Sequence, residues 1–295
     1  MFLGIDIGAT KAHGVAIDEN LTVLAEDATF TRTGEEGVTS VLLEIAGNVA
    51  EKAGVEPHDF TSVGVGIPGV VNRETGEVTS AVNLRVEHLK LASIVESCFS
   101  APVRVDNDVK AAVVGAARLL GSDSVTYLNL GTGLAAATIQ GDLIRGFGNA
   151  AGEIGHLVMD PRGDPCRCGQ RGCLETVIGG RYLAPRMAQL ELDWSTLADN
   201  PRLDARAALD QVVRVTAQTV SLLALAYDSE NIVLGGGVVQ AAPWLLGSVQ
   251  DFFLLRAPTA TFPDYADMAR RMRTLPEDSR VSAIGAALMG QERIA

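Results

Sequence analysis

Short apolar runs punctuated by small turn residues alternate along this chain with longer stretches of helical spacing, a pattern that predicts an α/β protein. Phe2 to Ile7 form an apolar run ending at Gly8, and Gly14 to Ile17 resume β-compatible residues, so Gly8-Ala9-Thr10 reads as a turn joining two strands. A second copy follows at Tyr127 to Ile139 with Gly131-Thr132-Gly133 at its tip, and there Asn129 aligns with Asp6 and Gly131 with Gly8. Two such hairpins far apart in sequence imply an internal duplication, each copy starting a lobe. Further strands are expected at Ser62 to Ile67, Val103 to Val105 and Ser124 to Leu130, and helices at Thr39 to Ala53, Asp108 to Leu120, Asp204 to Tyr227 and Val281 to Ile294. A third small-residue turn, Gly235-Gly236-Gly237, follows the apolar strand Ile232-Val233-Leu234 and leads into a helix start.

A length of 295 residues exceeds what one hydrophobic core usually serves, which agrees with two lobes. The expected boundary lies near Asn107 to Gly121, giving a first lobe over residues 1–115 and a second over 116–280, with the terminal helix 281–295 packing back on the first. Hydrophobic residues at 47% and charged ones at 20% describe a folded chain and not a disordered one. A net charge of −12 with no basic stripe excludes nucleic acid as a partner. The longest uncharged apolar run, Thr219 to Tyr227, is too short to span a membrane. Asp6 would interrupt the apolar core of any signal peptide, so a cytoplasmic protein is expected. Cysteine usage agrees: Cys98 stands alone, while Cys166, Cys168 and Cys173 crowd together as metal ligands do in a reducing compartment.

Three places could carry chemistry. Asp6 sits within an apolar strand, where an unpartnered carboxylate is costly and should meet something cationic, such as a magnesium-bound phosphate; the plainer alternative is a carboxylate bonded to its own turn. The small residues of both hairpin tips would let backbone N–H groups approach phosphate oxygens, with Lys11 supplying charge. Asn107 and Asp108 stand where a short strand enters a helix. A carboxylate there can accept the proton of an attacking hydroxyl while Asn107 orients it, although helix capping alone explains both residue types. His156 with Cys166, Cys168 and Cys173 offers one imidazole and three thiolates to a tetrahedral Zn2+, whose closed shell would organise a loop and leave no position for water. Glu153 and Glu175 flank that loop, and a pinned carboxylate binds sugar hydroxyls well; without the metal motif both would be ordinary surface glutamates.

Taken together, Asp6-Ile7-Gly8-Ala9-Thr10-Lys11, Gly66-Ile67-Pro68-Gly69, Asn107-Asp108, Gly131-Thr132-Gly133, Ala151-Gly152-Glu153-Ile154-Gly155-His156 and the Cys166-to-Glu175 segment resemble the ROK group of bacterial sugar kinases, related reading frames and transcriptional repressors. The resemblance covers nearly the whole chain. It implies an actin-like, duplicated two-lobed ATPase fold (ribonuclease H-like) and transfer of the γ-phosphoryl group of ATP, with Mg2+, to a hexose hydroxyl, usually on carbon six. By the same resemblance Asp108 is the general base, and Gly69, Asn83, Asn107, Glu153, His156 and Glu175 contact the sugar, His156 also ligating a structural Zn2+. Asp6, Gly8, Thr10, Lys11, Gly131, Thr132 and Gly133 serve phosphate and magnesium, and Gly235, Gly236 and Gly237 the nucleoside. A homodimer is the corresponding expectation.

Some positions depart from the family pattern. Ala9 replaces the usual second glycine of the first phosphate loop, Ala135-Ala136-Ala137 a more glycine-rich stretch, and Arg85-Val86 follow Asn83-Leu84 without a nearby tryptophan. Lys110 stands where an asparagine is common and is expected to point outward from the first helical turn, the alternative being a charge close enough to Asp108 to lower its pKa. Glucose is the leading acceptor, with N-acetylglucosamine, N-acetylmannosamine, fructose and allose within reach of small pocket changes. Two other readings stay open: a catalytically silent sugar sensor, and an ATPase without a sugar acceptor. A repressor would need a helix-turn-helix module ahead of the first phosphate loop, for which a loop starting at residue 4 leaves no room.

Overall fold

Phe2–Ile7 (β1) and Lys11–Ile17 (β2) pair antiparallel in a register that sets Asp6 opposite His13. Val23–Phe30 (β3) adds to β2 through antiparallel pairing. This computed structural model describes residues 1–99, 101–276 and 280–291, which fall into two compact units. In the first unit Glu35–Ala53 (α1) follows β3, starting four residues ahead of the expected Thr39 because Gly34, at φ 82°, turns the chain directly into the acidic first turn of Glu35 and Glu36. Gly54 ends that helix in the left-handed region at φ 71°. Ser62–Ile67 (β4) lies parallel to β1 and sets Gly66 beside Asp6.

A small three-stranded sheet comes next, from Val70–Asn72 (β5), Glu77–Ala81 (β6) and Val86–Lys90 (β7), all antiparallel. Leu91–Cys98 (α2) leads to Val103–Asn107 (β8), parallel to β4 and two residues longer than the expected Val103 to Val105. Asp108–Leu120 (α3) then starts without a loop. The main sheet of this unit therefore runs β3-β2-β1-β4-β8.

The second unit repeats that plan. Ser124–Leu130 (β9) and Leu134–Gln140 (β10) form the second hairpin, Asp142–Leu143 (β11) sits at its edge, and the sheet order is β11-β10-β9-β12-β13, where β12 is Asn231–Gly235 and β13 is Met272–Thr274, both parallel. Hairpin first, then two parallel strands beside its first strand, is the arrangement of both sheets, as a duplication requires. Helices Glu175–Ile178 (α4), Gly180–Gln189 (α5), Leu203–Tyr227 (α6), Gly237–Ala241 (α7), Leu245–Leu254 (α8) and Tyr265–Arg271 (α9) complete the unit. Leu128, Leu130, Ile232 and Leu234 meet α6 and α8 residues such as Val220, Leu223, Val249 and Phe253 in its core.

The junction between units follows Asp123, past the end of α3. A boundary at residue 115 would cut that helix in mid-course, where its backbone hydrogen bonds run on to Gly121. Leu143–Ala150 also packs with the first unit although both flanks belong to the second. Val281–Gly290 (α10) lies against β1, β4 and α3 of the first unit. Close approach makes this possible: a Cβ on Gly64 would come 1.7 Å from the Ala286 carbonyl oxygen, and one on Gly4 2.0 Å from that of Ala283. The expected terminal helix ran to Ile294; residues 292–295 lie outside the described residues, as do 277–279 at the end of the expected second lobe. Among the described residues no helix is long and apolar enough to cross a membrane.

Candidate functional site

In the first unit the central strand ends bring chemistry together. Asp6 is at the C-terminal end of β1, and its Oδ1 is buried with no hydrogen-bond partner. Burial pushes this carboxyl well above its ordinary range, the Asp108 charge adds to the rise, and a hydrogen bond from Ser282 on α10 opposes it. A Cβ built on Gly66 would lie 3.4 Å from Asp108 Cα and 3.6 Å from Asp6 Oδ1, so both acids meet over this glycine. Such an oxygen is a natural partner for a cation, so the residues present fit a magnesium-bound phosphate.

Asn107 does cap its helix. Its Oδ1 accepts from the backbone N–H of Val109 at 3.0 Å and of Lys110 at 3.3 Å, while its Nδ2 donates to the Gly69 carbonyl at 3.2 Å. Capping and site-building are thus one role, since the same amide ties the start of α3 to the turn after β4. Gly69, at φ 112°, is required there because a Cβ would come 2.9 Å from the Thr79 carbonyl oxygen. Asn83 lies in the 3-10 turn Val82–Leu84, half-buried. In the first hairpin the Gly8 N–H donates to the Lys11 carbonyl at 3.0 Å and Thr31 Oγ1 donates to the Gly8 carbonyl at 2.8 Å, leaving Thr10 and Lys11 exposed at the tip.

Lys110 corrects an expectation. It is buried, and its Nζ donates to the Asn149 carbonyl at 2.6 Å. The reason is the returning segment Leu143–Ala150, which sequence patterning did not single out. Arg145 Nε in that segment donates to Asp106 Oδ2 at 3.1 Å, Asn149 Nδ2 donates to the Val71 carbonyl at 3.0 Å, and Asp106 Oδ1 accepts the Asn107 N–H at 2.8 Å. Buried Lys110 and half-buried Arg145 therefore strap this segment to the strand–helix junction that carries Asn107 and Asp108.

The second unit gathers the remaining residues. The Gly131 N–H donates to the Gly133 carbonyl at 3.1 Å, and the strand after the tip runs beside the Glu153 segment, where the Ala136 N–H donates to the Gly152 carbonyl at 2.8 Å. A Cβ on Gly155 would lie 2.1 Å from the Leu134 carbonyl oxygen. Glu153 precedes the 3-10 turn Ile154–His156. Gly235 ends β12, Gly236 sits at φ 92°, and a Cβ there would lie 2.4 Å from Asn129 Oδ1, so the third glycine turn packs on the second hairpin.

His156, Cys166, Cys168 and Cys173 place their ligand atoms within 4.8 Å of one another. Cys168 Sγ to Cys173 Sγ and Cys166 Sγ to His156 Nδ1 are each 3.7 Å. A tetrahedron with Zn–S bonds of about 2.3 Å spaces its sulfurs about 3.8 Å apart, so the cluster has the size zinc needs. Gln170 Nε2 donates to Cys168 Sγ at 3.5 Å and to the His156 carbonyl at 3.2 Å, the outer support such a site uses. Burial and the neighbouring Cys168 and Cys166 sulfurs push the Cys173 thiol up to about 12, a crowding that a dication would relieve.

The ROK family sequence model matches residues 2–291. A glucokinase from Halalkalibacterium halodurans is 28% identical over 320 aligned positions, covering 99% of this chain and 96% of that enzyme. A xylose repressor from Caldicellulosiruptor bescii is 32% identical over 188 positions, which take in 61% of this chain and 47% of the repressor. Among solved structures, a ROK family glucokinase from Streptomyces griseus in complex with glucose and AMPPNP has a TM-score of 0.82 at 27% identity, covering 98% of this chain and 99% of that one.

Proposed function

Because the chain belongs to the ROK family and has its actin-like ATPase fold, we propose that it phosphorylates a hexose with ATP, glucose at its 6-hydroxyl being the first choice of acceptor. The observation that carries this reading is the buried, unpartnered Asp6 oxygen beside Asp108 at the start of a capped helix. One acid there suits a cation-bound phosphate and the other a hydroxyl proton. Full-length similarity to a glucokinase supports the same conclusion.

In this mechanism Asp108 accepts the proton of the attacking hydroxyl as the new O–P bond forms and the bond from the γ-phosphorus to the departing ADP oxygen breaks. Gly69, Asn83, Asn107, Glu153, His156 and Glu175 orient the sugar, Asn107 from a position fixed by its own capping bonds. The backbone of Gly8 and Gly131 to Gly133, with Thr10 and Lys11, holds phosphate, and Gly235 to Gly237 approach the nucleoside. Magnesium, when bound near Asp6, would neutralise charge on the phosphates. Zinc held by His156, Cys166, Cys168 and Cys173 would have a closed shell and would stiffen the loop that carries Glu153 and Glu175.

ADP release with magnesium-ATP, measured across hexoses and N-acetylhexosamines, tests the reading. Sugar-dependent turnover should fall by at least about a hundredfold in Asp108→Asn, the usual scale for losing a general base, with sugar binding retained. Sugar binding without turnover in the wild type would support the alternative suggested by the repressor relative, a sugar-binding regulator.

A further inference from the structure

Glu175 sits two residues after Cys173, at the start of α4, and its Oε2 accepts the backbone N–H of Leu134 at 3.1 Å. Leu134 is the residue after the Gly131-Thr132-Gly133 tip. The carboxylate is so close to this tip that a Cβ on Gly133 would come 2.5 Å from Oε2. The start of α5 completes the brace: the Gly180 N–H donates to the Gly131 carbonyl at 2.9 Å and the Arg181 N–H to the Thr132 carbonyl at 3.0 Å. Gly131, Thr132 and Leu134 are thereby held by hydrogen bonds from the side of α4 and α5.

Both helices are in turn fixed to the Cys/His loop. The Cys173 carbonyl accepts from Thr176 Oγ1 at 2.8 Å and from the Thr176 N–H at 2.9 Å. Tyr182 on α5 accepts at its hydroxyl the N–H of Arg167, which lies between Cys166 and Cys168, at 3.2 Å. Two short routes, one through Glu175 and one through Tyr182, therefore run from the metal ligands to the phosphate loop.

We propose that Glu175 is a positioning residue for the phosphate loop, a strut between the Cys/His cluster and Leu134, so that nucleotide binding depends on the metal loop even with no sugar present. This rests on the kinase reading for the identity of the nucleotide. It extends the cluster's reach from the sugar side, where Glu153 and His156 lie, to the second substrate.

Calorimetric titration of the zinc-loaded protein with magnesium-AMPPNP in the absence of sugar tests the strut. Glu175→Gln and Glu175→Ala are equally neutral but only glutamine retains an acceptor for the Leu134 N–H, so their difference isolates the strut from the loss of charge beside phosphate. Glu175→Ala is expected to bind about tenfold more weakly than Glu175→Gln, the scale of one lost hydrogen bond to an otherwise unsatisfied donor. Equal affinities for the alanine and glutamine variants, with zinc content intact, overturn the proposal. If Glu175→Ala does not fold, Tyr182→Phe tests the second route by the same titration, and an affinity equal to wild type overturns the link. Absence of nucleotide binding by the wild-type protein is a different result, and it removes the kinase reading along with this one.

Discussion

Replacing Asp6 with asparagine should make the ligand-free protein more stable while disabling it. The carboxyl oxygen Oδ1 is buried without a partner, and burial followed by the Asp108 charge raises its pKa well above the ordinary 3.8, against a smaller opposing bond from Ser282. The folded state therefore keeps a proton that the unfolded chain releases. Folded-state stability must then fall as pH rises from about 3.8 through the raised value, by about 1.4 kcal/mol for each unit of that window, and level off above it. Asparagine has no proton to lose, so the stability difference between Asp6→Asn and wild type should widen with pH over the same window. Adding magnesium-AMPPNP works the other way: a ligand at a hundred times its Kd stabilises the wild type by about 2.7 kcal/mol, and the variant gains little, so the difference between the two narrows. Urea unfolding across the pH series in magnesium-free buffer, repeated with saturating nucleotide, reads both effects. Parallel pH profiles for the two proteins would refute the protonation argument, and an undiminished nucleotide shift in the variant would remove Asp6 from the phosphate site.

Lys110→Met should cost about 1–2 kcal/mol in urea unfolding, because the Asn149 carbonyl loses a charge-assisted partner at 2.6 Å that methionine cannot replace; faster hydrogen exchange in residues 143–150 should accompany it, and an unchanged exchange pattern counts against the strap. Glu26 is paired with Arg280, which holds its pKa down at about 2, with His13 adding to the effect. A depressed carboxyl stabilises the fold above its ordinary 4.5 and loses that contribution as pH falls towards about 2. Glu26→Gln should therefore be less stable than wild type at neutral pH, by a modest amount since the pair is partly exposed, and the gap should close on acidification. A gap independent of pH would mean that packing and not charge is responsible.

The elements with a strong period were legible in the sequence. Ser62–Ile67, Ser124–Leu130 and Asp108–Leu120 were expected with the bounds the structure has, because buried central strands are rich in apolar and β-branched residues and α3 begins with a capping pair and ends at Gly121. The duplication was legible for the same reason: glycine-tipped hairpins stand out in one dimension. The cysteine spacing likewise announced its cluster, since three thiolates so close in sequence can converge on one point.

What the sequence hid are contacts made by residues with no local signature. Ser282 reaches Asp6 from a helix near the other end of the chain, and nothing around it distinguishes it from any serine in a helical first turn. Lys110 was read as exposed because lysine usually is, and only the return of 143–150 to the first unit supplies the carbonyl that makes its burial tolerable. Glu175 was legible as a carboxylate beside a metal loop, but its bond to Leu134 depends on α4 packing against a hairpin forty residues earlier. In each case local pattern sets where a backbone goes, and the polar atom left over by that packing then selects its partner. Sites built at strand ends collect such atoms, because strands stop there and their edge amides, carbonyls and carboxylates need new partners. Asn107 and Glu175 supply them to the fold, one capping α3 and the other accepting the Leu134 N–H, and both are residues proposed here to meet the substrates as well.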